Sequence, residues 1–509
     1  MTLLHAVLLA SAFVGSNASP LRMLDAGKVA GVEIPHAGDH VLATNDISND
    51  GFSVLQHLSG ISPYFDSPGV ALPRNPPPTC KVRTAAYFIR HSNIYANDFD
   101  YEQFIQPFTQ KVFNFGSQRS NFTALPQLAF LVNWSTPITD PDEQVEKITP
   151  SGVQSAKALG AVLAKLYPDL IAEAKNASAF NLWTADAERD MSSATAFAEG
   201  LLGSTPQVLN TTASTGGVTV VRVSENETLA ANTLVPHETC DQFDASAGSN
   251  PTNAFLNVYA APIAKRFNDA VPAFNFTPND IFAMQELCGY ETVITNASDF
   301  CQAFEPNDWL GFEYANDLDY FYELGYGQPL APTLGIPWVN ATAQLLASNT
   351  PSQPLYISFS HREEPPFVLT ALNLFNNSAY SNTNVNDTMP TSEINYNRAW
   401  KTSEILPFLG HIALERLECE PQQANNNTTP AFAPDVYVRA LVNSAPIPIP
   451  GCQSGPGASC PLGQFVQYIQ DRTAMYGDFV GSCGLSNGTN TLGIYQGDVP
   501  QVSDSGSDR

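Results

Sequence analysis

Two histidines stand directly after short apolar segments, and a histidine in such a place can act as a nucleophile toward phosphorus. His91 follows Arg90 at the end of residues 84–89, and His361 follows residues 354–360. Segments of this kind predict neighbouring strands of a parallel sheet, and ligands gather at the carboxyl ends of such strands. Arg90 could hold phosphoryl oxygens through charge-assisted hydrogen bonds. The pattern therefore predicts one catalytic site that contains both histidines.

The chain around these two points alternates between strand and helix patterns. Thr149 and Pro150 are typical of a helix N-cap and a first helical residue, and apolar residues then repeat at helical spacing as far as Leu166. This alternation predicts an α/β fold with the helices packed on a sheet. Further strands are expected at residues 180–184 and 436–442, and further helices at about 192–202, near 366–375 and from Asn279-Asp280 onward.

The sequence also suggests a domain organisation. Proline-rich punctuation closes an irregular N-terminal section, and a stretch rich in aromatic residues and helical pattern interrupts the strands. The expected parts are a signal peptide at residues 1–18, an N-terminal arm at 19–79, an α/β core at 80–237 and 346–495, a mostly helical cap at 238–345 and a disordered tail at 496–509.

Several features predict that the protein is secreted. The N-terminal apolar stretch, residues 3–14, is too short to span a bilayer, and small residues precede a possible cleavage site before Ser19. Thirteen Asn-x-Ser/Thr triplets follow it, which predicts N-linked glycans. The eight cysteines form no CxxC metal pattern, so disulfides are expected and no metal site is expected.

The charge excludes one class of partner. A formal net charge of −26 argues against nucleic acid, because basic surfaces supply that affinity. A sequence pI of about 4.5 suits mildly acidic surroundings, or serves only solubility. Beyond the N-terminus no segment is apolar for long enough to span a membrane, so no membrane partner is expected either.

Residues 76–485 resemble the secreted fungal histidine acid phosphatases of branch 2 of the histidine phosphatase superfamily, especially their phytase-like members. The resemblance implies a three-layer, phosphoglycerate-mutase-like α/β core with a mainly parallel sheet and an inserted helical cap. The segments that carry it are Ile148-Thr149-Pro150-Ser151-Gly152, Phe197-Ala198-Glu199-Gly200, Glu286-Leu287-Cys288-Gly289-Tyr290-Glu291-Thr292, Leu324-Gly325-Tyr326-Gly327-Gln328-Pro329-Leu330, Phe359-Ser360-His361 and Val438-Arg439-Ala440-Leu441-Val442-Asn443.

The resemblance also implies a disulfide pairing, which the sequence alone could not choose among about 105 possibilities. The implied pairs are Cys80–Cys419, Cys240–Cys483, Cys288–Cys301 and Cys452–Cys460.

The first motif of the family, Arg-His-Gly-x-Arg-x-Pro, is only partly present. Arg90 and His91 match the phosphate-binding arginine and the nucleophile, but Ile94 stands at the second arginine and Ala96 at the proline. A later clamp arginine of the family aligns best with Trp183. Arg189 matches a more distal arginine and is expected to be a structural ion-pair partner.

The second family motif, His-Asp, reads His361-Arg362-Glu363 in this chain. Multiple inositol polyphosphate phosphatases have His-Ala-Glu there, so by resemblance Glu363 is the expected proton donor. His361 is expected to bind the phosphoryl group with Arg90, and Arg362 to return one positive charge. Glu363 and Glu364 equally suit the start of a helix, where carboxylates favour the positive end of the dipole.

The expected function is that of a secreted acid phosphatase that hydrolyses small phosphomonoesters through a phosphohistidine, without metal or organic cofactor. Phytase activity is expected to be weak or absent, since a hexaphosphate requires a broad basic pocket. Two alternatives remain open at this point. The pocket could perform other acid–base chemistry behind an apolar wall of Ile94 and Trp183, or the protein could be a non-catalytic secreted binder.

Overall fold

The computed structural model describes residues 48–49, 51–177, 179–212, 217–381, 388–420 and 436–502. The expected signal peptide and most of the first half of the expected arm lie outside these residues. So does the segment from residue 503 onward. None of the described helices is long and apolar enough to cross a bilayer.

A nine-stranded mixed sheet organises the described chain. Its order is β8-β7-β6-β1-β5-β2-β4-β3, with β9 paired to β7. The neighbouring strands β1, β5, β2, β4 and β3 are parallel to one another. Strand β6 pairs with β1 in the antiparallel direction, and β7, β8 and β9 are added by further antiparallel pairing. The strands are β1 (Cys80–Arg90), β2 (Ala179–Ala185), β3 (Gln207–Leu209), β4 (Gly217–Val223), β5 (Leu355–Ser360), β6 (His411–Cys419), β7 (Val436–Val442), β8 (Ala445–Ile447) and β9 (Cys460–Pro461).

Helices cover both faces of this sheet, which confirms the expected three-layer α/β architecture. The helices of eight or more residues are α1 (Gln106–Asn114), α2 (Pro150–Leu166), α3 (Pro168–Asn176), α4 (Glu188–Leu202), α5 (Ser249–Ala270), α6 (Pro278–Thr295), α7 (Pro306–Glu323), α8 (Ala331–Ala347), α9 (Glu364–Ala371) and α10 (Leu462–Tyr476).

Alternation along β1 assigns its side chains to the two faces. Tyr87 and Ile89 belong to the core formed with α2 and α4, whereas Phe88 packs on Trp338 of α8 with ring centroids 5.2 Å apart. The α2–α4 pair is close because Gly200 has no side chain, since a Cβ there would lie 1.9 Å from the carbonyl oxygen of Lys157. Both layers thus hold β1 rigidly. The strand ends at Arg90, directly before His91, the histidine of the first motif.

The segment expected to form a cap contains α5, α6, α7 and most of α8. Helices α5, α6 and α7 contact one another, while α8 packs on α9 and α10 against the sheet. Aromatic residues from outside the expected cap join the first group, for example Phe108 against Phe274 and Phe300. The division into core and cap stays a prediction.

Four disulfides close long and short loops, and they are the four pairs that the resemblance implies. Cys80–Cys419 joins the first residue of β1 to the last residue of β6. Cys240–Cys483 joins segments 243 residues apart. Cross-links of long loops remove the most conformational entropy from the unfolded chain.

Two expectations need correction. Residues 497–502 do not form a disordered tail: Val499 is buried and the carbonyl oxygen of Pro500 accepts a hydrogen bond from the Ser224 amide. Helix α4 begins at Glu188, four residues before the expected start. This difference matters for the site, because it places Arg189 and Asp190 in the first turn of the helix.

Candidate active site

The parallel pairing of β1 and β5 brings the two motif histidines together. Arg90 lies opposite Ser360 in the register, and the amide of His91 donates to the carbonyl oxygen of Ser360 at 2.9 Å. His91 and His361 therefore both leave the carboxyl edge of the sheet from neighbouring strands, as ligand-binding residues of parallel sheets do.

A small cavity opens at this edge. Four of the five predicted site residues line it, and His361 does not. Its lining residues are Arg90, His91, Ile94, Asn97, Glu146, Arg189, Arg362 and Glu363. Three arginines and two carboxylates thus surround one buried histidine. Such a cavity can hold a single phosphoryl group among cationic donors.

His91 is held as a neutral imidazole with a defined tautomer. Its Nδ1 lies 2.8 Å from the carbonyl oxygen of Ser92, which can only accept, so Nδ1 carries the proton and Nε2 the lone pair. Burial, followed by the charges of Arg90 and Arg189, holds the pKa of His91 well below its ordinary value. A histidine with this environment stays unprotonated in mildly acidic solution, as a nucleophile must.

Arg90 is fixed by the N-terminal arm and by the loop before β6. Its Nη1 donates to the carbonyl oxygens of Gly60 and, at 2.8 Å, of Leu406. The guanidinium lies 4.6 Å from the ring centroid of Phe408. Burial and the nearby charge of Arg362 lower the pKa of Arg90 to about 10, so the side chain remains cationic at acidic pH. The arm therefore positions a cation at the cavity.

Arg189, and not position 183, supplies the additional arginine of the cavity. Its Nη1 lies 2.6 Å from Glu146 Oε2, so the expected ion pair is present. Its side chain also lines the cavity, and within the described part of the chain its buried Nε has no hydrogen-bond partner. Burial lowers the pKa of Arg189, yet Glu146 and Asp190 raise it overall. The expectation of a purely structural role was too narrow.

Trp183 does not contribute to the expected apolar wall. It pairs with Ser358, two residues before the level of Arg90, which places it about 7 Å below the strand ends. Its ring packs on Tyr356 and, edge-on at 4.8 Å, on Tyr495. The position that aligns with a clamp arginine therefore lies below the cavity, and of the two residues of the proposed apolar wall Ile94 lines the cavity and Trp183 does not.

Arg362 and Glu363 form an ion pair inside the cavity. Glu363 Oε1 lies 3.0 Å from Nε and 2.9 Å from Nη2 of Arg362, whose guanidinium also lies 5.3 Å from the ring centroid of Tyr320. Burial raises the pKa of Glu363, but Arg362, His237 and His361 together lower it below its usual range. In this arrangement Glu363 is an ionised carboxylate and has no proton to donate. It can act as the expected proton donor only when its ion pair with Arg362 is broken.

His361 lies beside the cavity among three carboxylates. Its Nδ1 is 2.8 Å from Asp190 Oδ2, and its Nε2 is 3.6 Å from Glu225 and 3.7 Å from Glu238. Burial lowers the pKa of His361, but Asp190 and then Glu225 raise it to about 10. His361 is therefore an imidazolium, and it adds positive charge next to His91. The donor atoms of Glu225, Glu238 and His361 all lie within 4.8 Å of one another.

A second ion pair that contains a histidine, His237 with Glu364, supports the start of α9. His237 Nδ1 is hydrogen-bonded to Glu364 Oε1, and only 15% of the His237 side chain is exposed. Burial lowers the pKa of His237, but Glu364 raises it to about 9. Since Glu363 is the N-cap of α9 and Glu364 its first residue, the helix-start interpretation also holds.

Comparisons with known proteins show the family of the chain. Residues 82–443 match the model of the histidine phosphatase superfamily (branch 2). An acid phosphatase of Komagataella pastoris is 29% identical over 88% of this chain and 91% of its own length, and an acid phosphatase of Schizosaccharomyces pombe is 29% identical over 80% and 84%. A phytase of Candida albicans is 25% identical over 86% and 88%.

Solved structures agree on the fold. The phytase from D. castellii superposes with a TM-score of 0.75 at 22% identity, over 88% of this chain and 91% of that one. A multiple inositol polyphosphate phosphatase of Bifidobacterium longum gives a TM-score of 0.54 at 13% identity, over 81% and 97%. The chain belongs to branch 2 of the histidine phosphatase superfamily and is an acid phosphatase-like hydrolase.

Proposed function

We propose that the protein hydrolyses small phosphomonoesters through a covalent phosphohistidine on His91. One observation carries the proposal: His91 is a buried, neutral imidazole with its Nε2 lone pair free, in a cavity lined by Arg90, Arg189 and Arg362. Nε2 attacks phosphorus, the P–O bond to the alcohol breaks, and the phosphoryl group stays on Nε2 until water removes it. Three guanidinium groups compensate the charge of the phosphoryl oxygens.

The clamp lacks two arginines of the family pattern, at the positions of Ile94 and Trp183, and has gained Arg362. Ile94 lies in the cavity wall at the second motif position, where it can offer no hydrogen bond. Arg362 lines the same cavity and can donate two parallel bonds to a phosphoryl group. Arg189 offers its Nε, which lies 3.9 Å from Asp190 Oδ2 and makes no hydrogen bond to the described residues. We assign phosphate binding to these two arginines together with Arg90, and electrostatic support to the imidazolium of His361.

Glu363 becomes a proton donor when the phosphoryl group arrives. The bound dianion attracts Arg362, which is the first of the charges that lower the pKa of Glu363. With its counter-ion drawn away and a negative group next to it, the carboxyl takes up a proton more readily. It can then protonate the leaving alcohol and, once ionised again, accept a proton from the attacking water.

The surroundings of Arg362 favour small substrates over phytate. Asp100, Asp319 and Glu323, which come from the helical side of the cavity, all interact with Arg362. Burial raises their pKa values, to about 6 for Asp319 and about 8 for Glu323. These groups supply no positive charge for the further phosphates of a hexaphosphate, and ionised carboxylates would repel them. Weak phytase activity is therefore part of the proposal.

The cell location follows from the sequence. The N-terminal apolar stretch, the thirteen glycosylation triplets and the four disulfides support secretion with N-linked glycans. We expect no nucleic-acid or membrane partner, and no metal or organic cofactor in the phosphatase reaction itself.

The test is hydrolysis of p-nitrophenyl phosphate from pH 3 to pH 7 by the full-length secreted protein. Activity should disappear in His91→Ala and persist in His57→Ala, which removes a half-buried histidine that does not line the cavity. A phosphoryl label on the wild-type protein after an alkaline quench, absent from His91→Ala, should identify the intermediate. Equal activity in wild type and His91→Ala would refute the proposal and favour other chemistry or a binding role.

A further inference from the structure

We propose that Glu225, Glu238 and His361 form a binding site for a transition-metal ion of the zinc type at the edge of the catalytic cavity. His361 Nε2 lies 3.6 Å from Glu225 Oε1 and 3.7 Å from Glu238 Oε1. These separations are too long for hydrogen bonds. They are close to the distance of about 3.3–3.6 Å between ligands that bind one tetrahedral Zn²⁺ ion with bonds of about 2.0–2.2 Å.

Asp190, which is not one of the three proposed ligands, orients the imidazole of His361 toward the metal site. Asp190 is fully buried and its Oδ2 lies 2.8 Å from His361 Nδ1. A carboxylate on one ring nitrogen fixes the tautomer that presents the other nitrogen to a metal, and it makes that nitrogen a stronger donor. Nε2 itself has no hydrogen-bond partner among the described residues, although only 4% of the His361 side chain is exposed. It is directed toward the two glutamates.

Glu225 is held in place as well. Its Oε1 accepts hydrogen bonds from the backbone amides of Asp186 at 2.5 Å and Ala187 at 3.1 Å. These two residues precede α4, the helix that carries Asp190. One short segment therefore orients two of the three donors, and little conformational entropy remains to be lost when an ion binds.

The donor set determines the kind of ion. One imidazole nitrogen and two carboxylate oxygens suit Zn²⁺ and its neighbours in the transition series, whereas Ca²⁺ and Mg²⁺ prefer sites made of oxygen alone. The side chain of Glu238 is 40% exposed, so solvent can deliver the ion and occupy its fourth position. Three negative side chains, including Asp190, compensate the charge of the ion after it displaces the proton on Nε2.

A bound ion would change the phosphatase site, a consequence that rests on the proposed function. His361, to which electrostatic support of the phosphoryl group is assigned, would instead donate the lone pair of Nε2 to the metal. The metal, with its two glutamates, would hold the ring beside the cavity. We expect zinc to inhibit hydrolysis reversibly, with activity restored by a chelator.

The test is calorimetric titration of the chelator-treated, full-length protein with Zn²⁺, with Co²⁺ as a spectroscopic probe of coordination geometry. Wild type should bind one Zn²⁺ per chain, and Co²⁺ should give the intense visible bands of a tetrahedral or five-coordinate site. Glu238→Gln should weaken Zn²⁺ binding at least tenfold, because loss of even an outer hydrogen-bond partner costs 10–100-fold. Asp241→Asn, an equal charge change at an exposed residue three positions away, should bind as wild type does.

Two results would overturn the proposal. One is the absence of stoichiometric Zn²⁺ binding to wild type. The other is an equal loss of affinity in Glu238→Gln and Asp241→Asn, which would mean that charge alone attracts the ion. Because the readout is binding, zinc that binds to a protein without phosphatase activity would support this site and count against the proposed function. Phosphatase activity without zinc binding would do the reverse.

Discussion

Replacement of Arg362 by alanine should sharply weaken the binding of phosphate and vanadate. Arg362 lines the cavity with His91, and its guanidinium can make charge-assisted hydrogen bonds worth about 1.5–3 kcal/mol each. At about 1.4 kcal/mol per factor of ten, loss of one such bond raises the inhibition constant of vanadate about 10- to 150-fold. Loss of both bonds of a bidentate contact would exceed that range.

The same change should also alter the charge of its neighbour. Arg362 is the first of the charges that lower the pKa of Glu363, so in Arg362→Ala that pKa rises. A carboxyl with a raised pKa stays protonated to a higher pH, so the alkaline limb of the rate profile, where the proton donor is lost, should move to higher pH. In Arg362→Lys the charge remains while the planar fork is lost, so vanadate should bind with intermediate affinity and the limb should move little.

The assay is competitive inhibition of p-nitrophenyl phosphate hydrolysis by vanadate at fixed acidic pH, with thermal unfolding measured in parallel. The double variant Arg362→Ala/Glu363→Gln controls for the unpaired buried carboxylate, since it should recover stability but not vanadate affinity. Because it also lacks the proposed proton donor, its vanadate affinity is measured by direct binding. Arg266→Ala, which removes an arginine paired with Asp308 away from the cavity, should leave inhibition unchanged. A folded Arg362→Ala protein that binds vanadate as wild type does would refute the assignment.

Two other substitutions test the site and its support. Ile94→Arg should restore one clamp donor and lower the vanadate inhibition constant by about 10- to 150-fold, whereas Ile94→Met should not; equal inhibition of the two variants would contradict the role of the cavity wall. Glu291 accepts a hydrogen bond from Trp134 Nε1 at 2.6 Å, and burial raises its pKa to about 7. Ionisation of Glu291 therefore lowers the free energy of unfolding by about 3 kcal/mol above that pH, and by nothing below about pH 4. Glu291→Gln should therefore be the more stable protein at pH 8 and match wild type near pH 4 in chemical denaturation, and a pH-independent difference would refute this.

The sequence predicted the placement of the catalytic edge because local patterns determine it. The apolar runs before His91 and His361 are strands in the structure, and their parallel register sets the two residues side by side. Thr149 caps α2 by accepting from the Gly152 amide, as its type and the following Pro150 indicate. These features depend on neighbours in sequence, and local physical chemistry is sufficient to predict them.

Features that depend on distant partners were missed. Strand β6 carries Glu415 and Arg416 in a buried position, which hides its strand pattern. The structure compensates Glu415 with Arg439 on β7 and with the hydroxyl of Tyr167, residues that no local pattern links to it. The same applies to His237, whose partner Glu364 lies 127 residues away. A buried charge is stable only when a partner compensates it, and a single sequence does not show which residue that partner is.

The two differences from the second family motif, Arg362 in place of the aspartate and Glu363 after it, together keep the charge of the cavity balanced. An aspartate replaced by Arg362 would leave the cavity without its acid, but Glu363 follows directly and pairs with that arginine. The arginine in turn compensates a helical side rich in buried carboxyl groups, among them Asp100 and Glu323. Neither residue would be stable there alone, because an unpaired buried charge is costly. In the mechanism proposed above, this ion pair keeps a phosphate-binding cation and a carboxyl group together with no net charge, and an anionic substrate separates them.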